Sequence, residues 1–171
     1  MLDHAKRSSP FGDQLAQPYT DEKWRDLTDK ANTAFSNADY RVADGYYLAA
    51  ISEAEDRFRA SVTALDRSAN DTVPMVIVSA LNKARNHAAL KDHDALELTL
   101  QTTASLLVDV IQDKSLPVAS RVACVEHLPQ LISGYSDTVE DLRIDGERFN
   151  RTMSICRDAA LSFLKTHAAQ A

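Results

Sequence analysis

From Thr20 onward the apolar residues recur in steps of three and four, a spacing that lines one face of a helix and has no sustained two-residue alternation of a strand. Trp24, Leu27, Ala31, Ala34 and Phe35 share the face of a first helix, entered by Thr20 as N-cap with Asp21 and Glu22 in the dipole-favoured first turn. Asp39 caps a second helix, in which Tyr40, Ala43, Tyr47, Ala50, Ala54, Phe58, Val62 and Leu65 carry the stripe. That pattern holds for about 28 residues, roughly 40 Å of helix at ~1.5 Å per residue. The segment RSANDTVP, 67–74, reads as a loop and a helix start, with Asp71 or Thr72 as cap and Pro74 in the first turn.

The third helix then runs to about Leu90, and KDHD, 91–94, makes a tight connection. Leu96, Leu100, Thr103, Leu107, Val110 and Ile111 form the buried stripe of the fourth. Ser115 to Pro117 start a fifth with Val118, Val122, Val125 and Leu128, which Pro129 is expected to kink or end. After SGYSD, Asp137 and Glu140 read as a capping box. They open a long last helix striped by Val139, Leu142, Phe149, Met153, Cys156, Ala160, Phe163 and Leu164, with Gly146 as a break near its start. Short connections force neighbouring helices to run antiparallel, so the expected fold is all-α, three successive helical hairpins in a single domain over 20–168. Residues 1–19 mix Ser, Pro, Gly and charges without helical period and are expected to be a flexible tail.

Composition agrees with helices and narrows the function classes. Only four Gly occur in 171 residues, and the chain is long enough to bury a core without metals or disulfides. A formal charge of −6 with acids and bases interspersed argues against nucleic acid or an anionic membrane as partner. The opening residues contain no secretory apolar run and no later run approaches a membrane span. With only Cys124 and Cys156 and no CxxC pair, the expectation is a cytoplasmic chain with reduced thiols.

Candidate chemistry is sparse. His87, Asp92, His93 and Asp94 are metal-ligand types, but a helix end separates them and no three share a face. Cys124 and His127, three apart, are spaced for a thiolate pair, yet Cys124 in an apolar stripe reads as a small core residue. There is no Gly-rich phosphate loop, GxSxG elbow or HExxH. The expectation is a protein that is not an enzyme, with no cofactor and no metal. Tyr46 and Tyr47 cannot both point inward, so an exposed Tyr46 marks a possible partner surface. Gly45 beside them weakens the helix unless a close contact requires it.

One spacing belongs to a larger pattern. Ala31, Ala43 twelve residues on, Tyr47 four after that and Ala50 three further, flanked by Leu27 and Tyr40, resembles a tetratricopeptide repeat (TPR). Ala84, Leu96, Leu100 and Thr103 repeat the twelve, four and three spacing, with His93 in the place of Tyr40. The third hairpin, 116–168, keeps the helical format without the signature. The resemblance implies a divergent TPR-like α-α superhelix whose first, third and fifth helices line a groove for a peptide or helix of another protein.

On that reading the groove carries Arg25, Thr28, Asp29, Asn32, Phe35 and Ser36 of the first helix and Val78, Leu81, Asn82, Arg85 and Ala89 of the third. Asn32 and Asn82 match asparagines that grip a peptide carboxylate in some TPR domains, with Arg85 as the charge, although Thr28 stands where those domains carry lysine. Asn32, Phe35, Asn82, Arg85 and Tyr46 are therefore the candidate partner-binding residues of an adaptor or scaffold. Two alternatives are a small acidic secretion or assembly chaperone, and a structural module that forms a homodimer through the long second helix and the last helix. An exposed apolar stripe on residues 58–66 would favour the dimer.

Overall fold

The computed structural model describes residues 21–64, 68–143 and 146–168. They form six α-helices and no strand: α1 (Glu22–Ser36), α2 (Tyr40–Val62), α3 (Ala69–Ala89), α4 (His93–Gln112), α5 (Val118–Leu142) and α6 (Glu147–Ala168). The first two hairpins turn tightly, with Ala38 at φ 59° and Lys91 at φ 60° in the left-handed region that reverses the chain. Asp39 and Asp92 hold the N-cap positions of α2 and α4, and the Asp92 carboxylate accepts from the Ala95 backbone N–H at 3.1 Å. Asp21, not Thr20, precedes α1; Thr20, the segment 1–19 and Leu65 lie outside the described residues.

Three boundaries differ from the sequence reading, each for a tertiary reason. α3 begins at Ala69 with Ser68 at its N-cap position, so Asp71 and Thr72 are interior residues. Burial of Thr72 explains this early start: its hydroxyl lies 2.6 Å from Ser61 Oγ and ties the new helix to the end of α2. Pro74 then sits inside α3, where its missing N–H orphans only the carbonyl of exposed Asn70. α5 neither stops at Pro129 nor yields to SGYSD, but continues to Leu142, and Asp137 and Glu140 are helical interior. Continuing it buries Leu131, Tyr135 and Val139, worth about 1.5–3 kcal/mol for each large side chain, against a few tenths from turn-favouring residues. The chain turns instead at Arg143, φ 53°, and α6 starts just after Gly146.

α3 is the central helix, packed against α2, α4 and α5. Its buried residues lie on nearly every side, among them Val73, Val76, Ile77, Ala80, Ala84 and Asn86. The stripe expected of α4 is buried throughout, from Leu96 to Ile111. α2 also touches α5, a contact that skips over a hairpin and makes the body more compact than a stack in which each unit meets only its neighbours. At the far end α6 lies mainly on α4 and meets α5 lightly. Arg148 clasps α4 there, reaching Glu97 at 2.8 Å and Asp94 at 3.1 Å. Phe58, Ser61 and Val62 are buried and Ser61 meets Thr72 of α3, so the exposed apolar stripe that would favour a dimer is not seen among the described residues 58–64.

Candidate functional site

Side-chain contacts link α1 to α3 and α3 to α5. The indole Nε1 of Trp24 donates to Ser79 Oγ at 2.7 Å, joining the start of α1 to α3. One side of α3 meets α5 so closely that a Cβ on Gly134 would lie 2.6 Å from Leu81 Cδ2. Near the other end of α1, the Arg85 guanidinium lies over the Phe35 ring, 4.7 Å from its centroid, and Phe35 meets Tyr40 edge-on at 5.3 Å.

Of the five candidate residues, Phe35 and Arg85 touch in this last patch, and Asn32 and Asn82 each stand three residues before one of them on the same helix. Asn32 is exposed, and its Oδ1 accepts from the buried Tyr47 hydroxyl at 2.7 Å, which leaves its amide N–H groups outward. Burial pushes the Tyr47 phenol above its ordinary value, with the nearby Arg85 charge pulling the other way. The phenol therefore stays protonated and holds Asn32 in one orientation. Arg85 is exposed, and among the described residues no carboxylate lies within ion-pair distance of it. Asn82, half-buried, occupies the position three before Arg85 on the same face of α3. Tyr46 belongs elsewhere. It lines an open cleft of about 460 Å³ between α1 and α2 with Val42, Asp29, Lys30 and Asp39, while Tyr47 is the tyrosine of the pair that faces inward. Gly45, next to it, has nothing within 4 Å of where a Cβ would stand.

Behind the patch lies a buried polar seam between α2 and α3. Asn86 is fully buried and donates from Nδ2 to the Tyr40 carbonyl at 3.0 Å. His87 Nε2 lies 3.7 Å from the Asp44 carboxylate, and its Nδ1 is buried without a hydrogen-bond partner. Burial lowers the His87 pKa from its ordinary 6.5; Asp44 and, more weakly, Asp92 oppose that shift, while Lys83 reinforces it. The ring is thus held neutral by desolvation.

The remaining chemistry-bearing residues are packing elements. Cys124 is fully buried, and burial alone pushes its thiol up to about 12, the opposite of an activated nucleophile. Cys156 is likewise pushed up to about 11. Among the described residues no three of His, Cys, Asp and Glu converge in a way that could hold a metal ion, and no helix is long and apolar enough to cross a membrane. The patch thus holds an aromatic ring, a guanidinium over it and the Asn32 amide, oriented by Tyr47.

A second surface escaped the sequence reading. α5 and α6 diverge around an apolar cleft of about 460 Å³ whose walls include Val125, Pro129, Ile132, Met153 and Ala160. Its signal was present as the 4-3-4-3 spacing of Val118, Val122, Val125, Pro129 and Ile132, but nothing local says that this stripe stays uncovered.

No curated protein and no solved structure matches the chain. A family model does, over residues 22–133, which run from α1 into α5 and include every residue of the Asn32, Phe35, Asn82 and Arg85 patch. The match spans more than half of the sequence, and the chain belongs to the family described as Protein of unknown function (DUF2753).

Proposed function

We infer that this protein is an interaction module, an adaptor or scaffold that holds an extended or helical segment of a partner protein along a TPR-like groove formed by α1, α3 and α5. The observation that carries this reading is the state of Arg85: a cation over the Phe35 ring, with no carboxylate within ion-pair distance among the described residues, near the outward amide of Asn32 and the half-buried Asn82. A guanidinium held in place by an aromatic face loses little entropy when it takes a carboxylate, so an acidic side chain or a peptide terminus is the group it fits. The lateral contacts Trp24 to Ser79 and Leu81 to Gly134 supply the rigid backing that a peptide groove requires.

Selection of a random peptide library on the full chain, followed by fluorescence anisotropy of the recovered peptides, tests this. Asn32→Ala/Arg85→Ala is expected to weaken binding at least about tenfold, or ~1.4 kcal/mol. Tyr46→Ala, on the other side of α1, is expected to leave it unchanged. Peptides that bind the double variant as tightly as the parent would remove the groove from consideration.

A further inference from the structure

The open cleft between α5 and α6 has two apolar walls. On α5, Val118, Val122, Val125, Pro129 and Ile132 form a straight stripe beside the buried face that carries Cys124, Leu128 and Leu131. On α6, Met153, Ala160 and Leu164 run along the facing side, with Leu161 next to them. Val118, Leu161 and Leu164 are each about half exposed, at 50%, 46% and 51%. The reason is the seat of α6, which spends Cys156, Ala159 and Phe163 on the core and lies mainly on α4, leaving Met153 and Ala160 only partly covered and Leu161 and Leu164 half exposed. A contiguous apolar strip of this kind marks a docking surface.

Charge at the edges of the strip indicates what docks. Beside the α5 stripe stands Glu126; within the α6 side stands Arg157. The cleft is lined by 125–132 of α5 and 150–160 of the antiparallel α6, so Arg157 is level with Glu126. Among the described residues the one carboxylate within ion-pair distance of Arg157 is its neighbour Asp158, at 3.4 Å with both side chains about two-thirds exposed, a pair worth little and free to exchange.

The surface is therefore self-complementary. A two-fold axis parallel to the helices lays α5 of one copy over α6 of the other at the same height, sets stripe on stripe, and brings Glu126 of each copy to Arg157 of the other. Every contact is made twice. We propose that two copies of this chain associate through the α5–α6 groove, closing it into a four-helix layer. The α5 stripe spans only about 21 Å at ~1.5 Å per residue. So small an interface fits a reversible dimer with a dissociation constant in about the micromolar range. The surface is separate from the Asn32 and Arg85 patch and stands or falls without it.

Sedimentation velocity on the full chain across a concentration series tests the proposal. The expected result is a reversible monomer-to-dimer shift that Leu164→Glu abolishes, with unchanged helical circular dichroism because Leu164 is half exposed. Arg157→Glu is expected to weaken association at least about tenfold and Arg157→Glu/Glu126→Arg to restore it. A wild-type chain that stays monomeric at every concentration, or a dimer that survives Leu164→Glu, overturns the proposal. So does a monomer whose groove takes an added amphipathic helical peptide, which would assign the surface to a foreign helix.

Discussion

Gly134 of α5 lies directly against the Leu81 side chain of α3, and replacing it by alanine separates two opposing energies. In a helix interior alanine is worth about 1 kcal/mol more than glycine. Against that, the new Cβ at Gly134 would stand 2.6 and 2.8 Å from the two δ-carbons of Leu81 and 3.3 Å from its Cγ. Overpacking of this kind costs about 1–3 kcal/mol. Leu81 is half-buried and can turn partly aside, so the cost falls near 2 kcal/mol and Gly134→Ala is expected to lose about 1 kcal/mol net, some 2–4 °C in Tm. With Leu81→Ala in place the obstruction is gone and the same change is expected to gain about 1 kcal/mol, giving a coupling of about 2 kcal/mol.

Gly45 supplies the control, since nothing lies within 4 Å of its would-be Cβ. Gly45→Ala is expected to stabilise by about 1 kcal/mol in either background. Urea denaturation followed by circular dichroism on the four-variant cycle measures all of these. If Gly134→Ala stabilises equally with and without Leu81, the close approach of α3 and α5 is refuted.

Two other expectations concern titration. Because burial lowers the folded-state pKa of His87 below its unfolded value of 6.5, the unfolded chain binds the extra proton first; stability is fully present above about pH 6.5 and is lost as pH falls from there toward the folded value. Urea midpoints measured in that window for wild type and His87→Gln should show a flatter acid limb for the variant, and parallel limbs would count against a neutral buried ring. Cys124 and Cys156, raised to about 12 and 11, are expected to be nearly inert to a thiol-specific disulfide reagent at pH 8 in the native protein and to react at once in denaturant. Rapid modification without denaturant would contradict their burial.

The helices themselves were legible because periodicity is a local property. The stripe Leu96, Leu100, Thr103, Leu107, Val110 and Ile111 is buried as its spacing implied, and the small and aromatic set Ala31, Ala43, Tyr47 and Ala50 packs at the crossing of α1 and α2. The TPR resemblance singled out Asn32, Phe35, Asn82 and Arg85 on α1 and α3, and of these Phe35 and Arg85 are in contact. What the spacing did not contain was the Tyr47 hydroxyl that orients Asn32, or the ring that holds Arg85, since both depend on how the helices rotate against each other.

Where local preference and burial disagreed, burial decided. Ser-Gly-Tyr-Ser-Asp favours a turn, yet α5 runs through it because Tyr135 and Leu131 fill the core there. The sequence by itself determined an all-α chain and the apolar faces of the first four helices, while Val139 and Leu142, which its pattern assigned to the last helix, belong to α5. Only the tertiary structure decided which faces found a partner: it covered the end of α2, seated α6 on α4, and left the stripe from Val118 to Ile132 only partly covered, with Val118 and Pro129 exposed. An apolar stripe records that a helix has something to bury, but what buries it is set by the positions of the other helices, which no local spacing encodes.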